Sequence, residues 1–162
     1  MKTFFLCIAL FALSYSASAQ TYEQNQIDSL LRVVDNPTVK DADRIYPLTS
    51  IVFMYRLLGD SANTVKFLDR ARMLAVREKD SKYRMYVYNL ELEGCYKAKP
   101  KKITEAYQLI DSIYIAISQT KDREAQAQGY RYIAVAKSRI DSKYDYDETY
   151  KAIAVVEELS DK

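Results

Sequence analysis

The sequence predicts an all-α chain of about seven helices, stacked as an array of antiparallel pairs. Three observations predict it. An apolar triplet recurs four times, as Ile27-Leu30-Val33, Leu68-Ala71-Leu74, Ile110-Ile113-Ala116 and Ile153-Val156-Leu159. Its first members lie 41, 42 and 43 residues apart, and three of them are followed by an aspartate: Asp28, Asp69 and Asp111. A period near 40 residues built on helical spacing belongs to stacked repeats rather than to one closed core. Three glycines and three prolines in 162 residues are also too few turn-formers for a β protein. Finally, capping signals recur between the apolar stretches at the spacing short helices require.

The first element is a leader. Lys2 is followed by ten apolar residues from Phe4 to Leu13, and Ala17-Ser18-Ala19 forms a cleavage site. This is the pattern of a secretory signal peptide over residues 1–19, too short to span a bilayer as a stable anchor. Cys7 lies inside the apolar stretch, which excludes lipidation there. The expected product is periplasmic or secreted and begins at Gln20.

A lead helix and linker occupy residues 20–40. Thr21-x-x-Gln24 resembles a capping box, and Asn36-Pro37 ends the helix after about Val34. Three helix pairs are expected over residues 41–162. The second helix runs from about Asp41 to Leu58, with Pro47 predicting a kink or a delayed start. Gly59 suits the residue after a helix, and Asp60 or Ser61 can cap the third helix, about Ser61 to Arg77. Lys79-Asp80-Ser81 ends it and caps the fourth, about Ser81 to Ala98. The turn at Lys99-Pro100-Lys101 leads to the fifth, about Lys102 to Ser118. Thr120-Lys121-Asp122 caps the sixth, about Asp122 to Ile140, and Asp145-x-x-Glu148 starts the last, which ends near Leu159. The triplets then form an inward stripe on the lead helix and on the second helix of each pair. Ile51, Leu92 and Ala134 keep a parallel register on the first helices.

Composition removes whole classes of chemistry. The chain has no histidine, so a Ser-His-Asp or Cys-His site is excluded. After loss of the leader, Cys95 is the only cysteine, which rules out an internal disulfide and a zinc site. A lone cysteine among apolar helical residues reads as core. No phosphate-binding glycine loop is present. The net charge of +2 falls to +1 without Lys2, which gives no electrostatic reason to expect nucleic acid. Glu91 and Glu93 sit on different sides of one helix and cannot serve one atom. No enzyme activity and no cofactor is expected.

The helix pairs resemble the tetratricopeptide repeats. The second pair carries this best, with Gly94 and Tyr96 followed by Ile103-Thr104-Glu105-Ala106. The third offers Tyr146-Asp147-Glu148-Thr149, and the first offers Gly59-Asp60 with Ala62-Asn63-Thr64-Val65. The period is longer than that family's usual length of about 34, and the tryptophan of its first helix is missing. The chain is similar to the exported repeat region of bacterial sensor kinases and repeat-containing transcriptional regulators. The resemblance implies a right-handed α-solenoid with the first helices lining a concave face, and a protein- or peptide-binding role. On that face it points to Tyr88, Glu91, Tyr130, Arg131 and Ser138 as groove residues. Arg131 is the candidate clamp for a peptide carboxylate. The run Lys97, Lys99, Lys101, Lys102 reads as a solvated turn.

The expectation is therefore an exported, non-catalytic scaffold for a protein or peptide. The alternative is the truncated sensor region of a signal-transduction kinase or regulator. The last triplet, Ile153-Val156-Leu159, is expected to face a further repeat, which makes self-association through the C-terminal helix a further expectation. No stretch after the leader is long and apolar enough for a membrane helix.

Overall fold

A computed structural model describes residues 22–141 and 146–160. Helices are the only regular elements among them. They are α1 (22–34), α2 (Asp41–Leu57), α3 (Ser61–Arg77), α4 (Lys82–Lys97), α5 (Ile103–Gln119), α6 (Arg123–Asp141) and α7 (Tyr146–Ser160). The leader with its cleavage site at Ala19, the cap residue Thr21 and the turn residue Asp145 lie outside the described residues.

Helix ends follow local chemistry. α2 starts at Asp41 and runs through Pro47, so the delayed start does not occur. Proline six residues into a helix removes one N–H from the ladder, and the remaining turns carry the segment. Gly59 takes φ +72° just beyond α2, with its N–H bonded to Arg56 O and the Asp60 N–H bonded to Tyr55 O. That double bond is the Schellman arrangement, which favours glycine because it needs a left-handed residue. Asp60 then caps α3, accepting the Asn63 N–H at 2.9 Å.

α4 is capped from within Lys79-Asp80-Ser81, by Asp80. The Ser81 carbonyl accepts the Met85 N–H at 3.1 Å, but its side chain makes no cap bond; the hydroxyl is buried and donates to Ala116 O of α5 at 2.7 Å. Asp80 supplies the local acceptor instead, taking the Lys82 N–H at 3.0 Å and the Thr120 hydroxyl at 2.8 Å. Asp122 accepts the Ala125 N–H at 3.0 Å, and the Lys82 ammonium at 2.8 Å. The starts of α4 and α6 are thus tied by residues one repeat apart. Lys101, from the lysine turn, donates to Arg139 O at 2.7 Å near the end of α6, where carbonyls lack helical partners.

The helices pack as three adjacent pairs: α2 with α3, α4 with α5, and α6 with α7. Each pair reaches the next, because α4 meets α2, α3 and α6, while α5 meets α6. This packing is consistent with an α-solenoid. Two apolar clusters fill it. One joins Ile27 and Val34 of α1 to α2 and α3, and ends on Val87 and Leu90 of α4. The other joins Met85, Leu92 and Cys95 of α4 to α5 and α6.

The triplets of α3 and α5 are buried throughout, as the inward stripe requires. Ile51, Leu92 and Ala134 are buried too. The lead helix departs at its end: Val34 is buried while Val33 is 39% exposed. α7 departs further. Ile153 and Val156 are 45% and 50% exposed, and the side chain of Leu159 is outside the described residues. α7 instead buries Val155 and Glu148. The Glu148 carboxylate receives the Tyr114 hydroxyl of α5, the Lys151 ammonium at 3.0 Å and the Lys137 ammonium of α6 at 3.4 Å. Burial pushes its pKa up, but these donors and the two lysine charges outweigh it and hold the group below its ordinary value.

Candidate binding groove on the first helices

The first helices α2, α4 and α6 expose one side chain row each to a shared groove of about 530 Å³. α2 contributes Tyr46, Ser50 and Phe53, spaced four and three residues apart, which keeps them on one face. α4 contributes Tyr86, Asn89, Glu93 and Tyr96 by the same rule, and α6 contributes Arg131, Tyr132 and Val135. The packing of α4 between α2 and α6 brings the three rows together.

The aromatic rings have fixed neighbours. Tyr86 meets Tyr83 edge-to-face at 6.4 Å between centroids. Lys97 stands 6.0 Å above the Phe53 ring and pairs with Glu93 at 2.5 Å. Glu93 also meets Arg56 of α2 at 3.5 Å, and the same guanidinium donates to Leu90 O at 2.7 Å. Burial raises the pKa of the Tyr86, Tyr96 and Tyr132 phenols, so these hydroxyls stay protonated at neutral pH and can both donate and accept. Arg131 is exposed and has no hydrogen bond or ion pair with a described residue. An unpartnered guanidinium among neutral phenols suits a carboxylate or a carbonyl-rich ligand.

At one end the groove continues into a polar recess between Tyr46, Tyr86 and Tyr132 and the Lys82–Asp122 pair. No cluster of three or more potential metal ligands occurs among the described residues. Glu91 and Glu93 face different partners, Arg72 of α3 and Arg56 of α2, as their spacing predicts.

The structure redistributes the residues expected in the groove. Arg131 lines it, and Ser138 lines a separate groove between α6 and α7. Tyr88 packs against the second apolar cluster. Glu91 faces α3 through Arg72. Tyr130 also packs on the second cluster, with the Lys151 ammonium 6.0 Å above its ring. Tyr46 and Tyr86 lie 40 residues apart, near the repeat period, but the buried Tyr55 stands in the same relation to Tyr96, so spacing alone does not mark the groove rings.

Comparison of the chain with protein-family models, curated proteins and solved structures finds no match. The functional reading therefore rests on the groove itself. Among the described residues, no helix is long and apolar enough to cross a membrane. Cys95 sits among the apolar residues of the second cluster, where burial, then the nearby Glu105 carboxylate, pushes its thiol pKa up.

Proposed function

We propose that this chain is an exported, non-catalytic scaffold of the tetratricopeptide-like class that binds a protein or peptide segment along the α2–α4–α6 face. The groove lined by Tyr46, Phe53, Tyr86, Tyr96 and Tyr132 around Arg131 carries the reading. Tyrosine rings offer large contact area at low entropic cost and a polar tip for backbone groups, and with arginine they dominate binding energy at interfaces. The open, trough-like arrangement of three parallel rows suits an extended segment better than a small, enclosed molecule. The absence of histidine from the whole chain supports a binding role rather than proton-transfer chemistry. The signal-peptide pattern of residues 1–19 supports export.

A displayed library of random peptides tests the reading. Wild-type protein should enrich a defined sequence class, and Tyr86→Ala or Arg131→Ala should weaken those peptides by about 30-fold, as expected for an interface anchor worth about 2 kcal/mol. Enrichment that is identical on wild type and both variants, or none at all, would refute it. Mass spectrometry of protein recovered from the cell envelope tests export, with Gln20 as the expected first residue.

A further inference from the structure

The α6 wall of the tyrosine groove carries charges in a fixed order. Glu124, Arg131 and Arg139 are spaced seven and eight residues apart, so they share one face of the helix. None of the three side chains has a hydrogen bond or an ion pair with a described residue. Arg131 lines the middle of the groove. Glu124 lines the polar recess at one end, of about 430 Å³, with Tyr46, Tyr86 and Tyr132. Arg139 lines the opposite end with Tyr96, Lys97 and Lys101. The recess shares its three tyrosines with the groove, and the opposite end shares Glu93, Tyr96 and Val135 with it, so all three form one trough.

The two ends are distinct because α4 and α6 run parallel. Lys82, which opens α4, pairs with Asp122 just before α6, while Tyr96 near the end of α4 borders Arg139 near the end of α6. The other charges along the trough are already countered. The Lys82 ammonium has Asp122 at 2.8 Å and Asp80 at 4.0 Å. Lys97 pairs with Glu93, and Lys101 donates to the Arg139 carbonyl. Among the described lining residues this leaves a negative group at the recess and two positive groups beyond it. The charges reach the phenols accordingly. Burial is the main influence on Tyr86, Tyr132 and Tyr96 and raises all three; Glu124 adds to the rise at Tyr86, while Arg131 opposes it at Tyr132 and Arg139 at Tyr96.

We propose, on the basis of the binding role assigned to this groove, that the trough selects a peptide segment with charges in matching order: a lysine or arginine seated in the recess, and aspartate or glutamate facing Arg131 and Arg139. In the recess a basic side chain meets the Tyr46, Tyr86 and Tyr132 rings and the Glu124 carboxylate, two attractions that act on the same cation. Glu124 lies about 10 Å from Arg131 and about 22 Å from Arg139 at the helical rise. An extended chain covers these spans in about three and about seven residues. A segment that places an acidic residue in the recess and basic ones beyond it sets like charges together at each position, which excludes it.

The peptide library reads the charge order directly. Wild type should enrich segments in which a basic residue is separated from acidic ones by about three and about seven residues. Against one such synthetic peptide, Glu124→Lys and Arg139→Glu should each weaken binding about tenfold, and the loss should shrink as salt is added. Replacing the peptide's basic residue by glutamate should weaken binding to wild type and restore it to the Glu124→Lys variant. Both side chains are exposed, and circular dichroism checks that each variant folds. The milder Glu124→Gln and Arg139→Gln, which remove charge without reversing it, should each lose about threefold. Enriched peptides without this charge order, or peptides whose binding ignores both reversals, would overturn the charge selection and leave the groove's binding role standing. No enrichment at all would overturn both.

Discussion

The Ser81 hydroxyl donates to the Ala116 carbonyl at 2.7 Å, which fastens the start of α4 to the last turn of α5. Ser81 is 1% exposed, so the contact is made away from water. Ala116 O also receives the Thr120 N–H at 3.1 Å and keeps a partner if the serine is lost. Ser81→Ala should therefore cost only about 1 kcal/mol. Ser81→Asp should cost more, about 2–3 kcal/mol, because it buries a carboxylate against a carbonyl. A serine acting as an ordinary helix cap would show the reverse order, since aspartate caps as well as serine. Urea denaturation of the two variants, with an unchanged slope and shifted midpoint, distinguishes them.

Gly94 and Gly129 should respond oppositely to alanine. A Cβ at Gly129 would lie 2.5 Å from Met85 Sδ and 2.6 Å from Ile117 Cγ1, both in the second cluster. Gly129→Ala must push α6 away from α4 and α5, and should destabilise by about 1–3 kcal/mol. A Cβ at Gly94 would meet only the Arg56 guanidinium, at an ordinary 3.5 Å. Gly94→Ala should be neutral or stabilise by up to about 1 kcal/mol through helix propensity. Thermal midpoints of the two variants check both signs.

Stability should fall in acid partly through Glu148. Its folded pKa is held below the ordinary value near 4.5, against burial, by the Tyr114 and Lys151 bonds and the Lys137 charge. The unfolded chain then binds the proton first as pH drops. The stability Glu148 contributes is full above pH 4.5 and is lost as pH falls through the folded value. Asp122, held low chiefly by the Lys82 bond, adds to the same limb. Glu148→Gln should lower the neutral-pH stability by about 1–3 kcal/mol and flatten its acid dependence. Melting curves of wild type and variant across acidic pH measure both effects, and parallel curves would contradict the assignment.

Cys95 should react slowly with thiol reagents in the native protein. Its thiol is buried in the second cluster, and burial and the Glu105 charge both raise its pKa, so little thiolate forms at neutral pH. The rate should rise sharply in denaturant. Rapid labelling of folded protein would show that α4 opens locally.

Much of the architecture was readable because it follows from local rules. Gly59 and Asp60 mark a helix boundary through φ and a side-chain acceptor, and both act where the sequence places them. The Leu68 and Ile110 triplets fall on helices with one wet and one dry face, so periodicity finds their inward side. The groove row on α4 was not readable for the same reason in reverse. α4 meets α2, α3, α5 and α6, and its buried residues Met85, Val87, Leu90, Leu92 and Cys95 go round the helix. With no single apolar stripe, spacing cannot tell Tyr86 and Glu93 from Tyr88 and Glu91. The tie from Ser81 to α5 was not readable, because a helix-start serine that reaches a neighbouring carbonyl has the same local sequence as one that caps.

The two apolar clusters share α4 as a common wall, with Val87 and Leu90 on one side and Met85, Leu92 and Cys95 on the other. Loosening either half leaves α4 clamped by the other. Its amides should therefore exchange with solvent deuterium only when the whole chain opens, while the ends α1 and α7 exchange through partial fraying. The middle of the molecule would then act as a rigid splint, able to hold the spacing of the flanking helices fixed while either end moves.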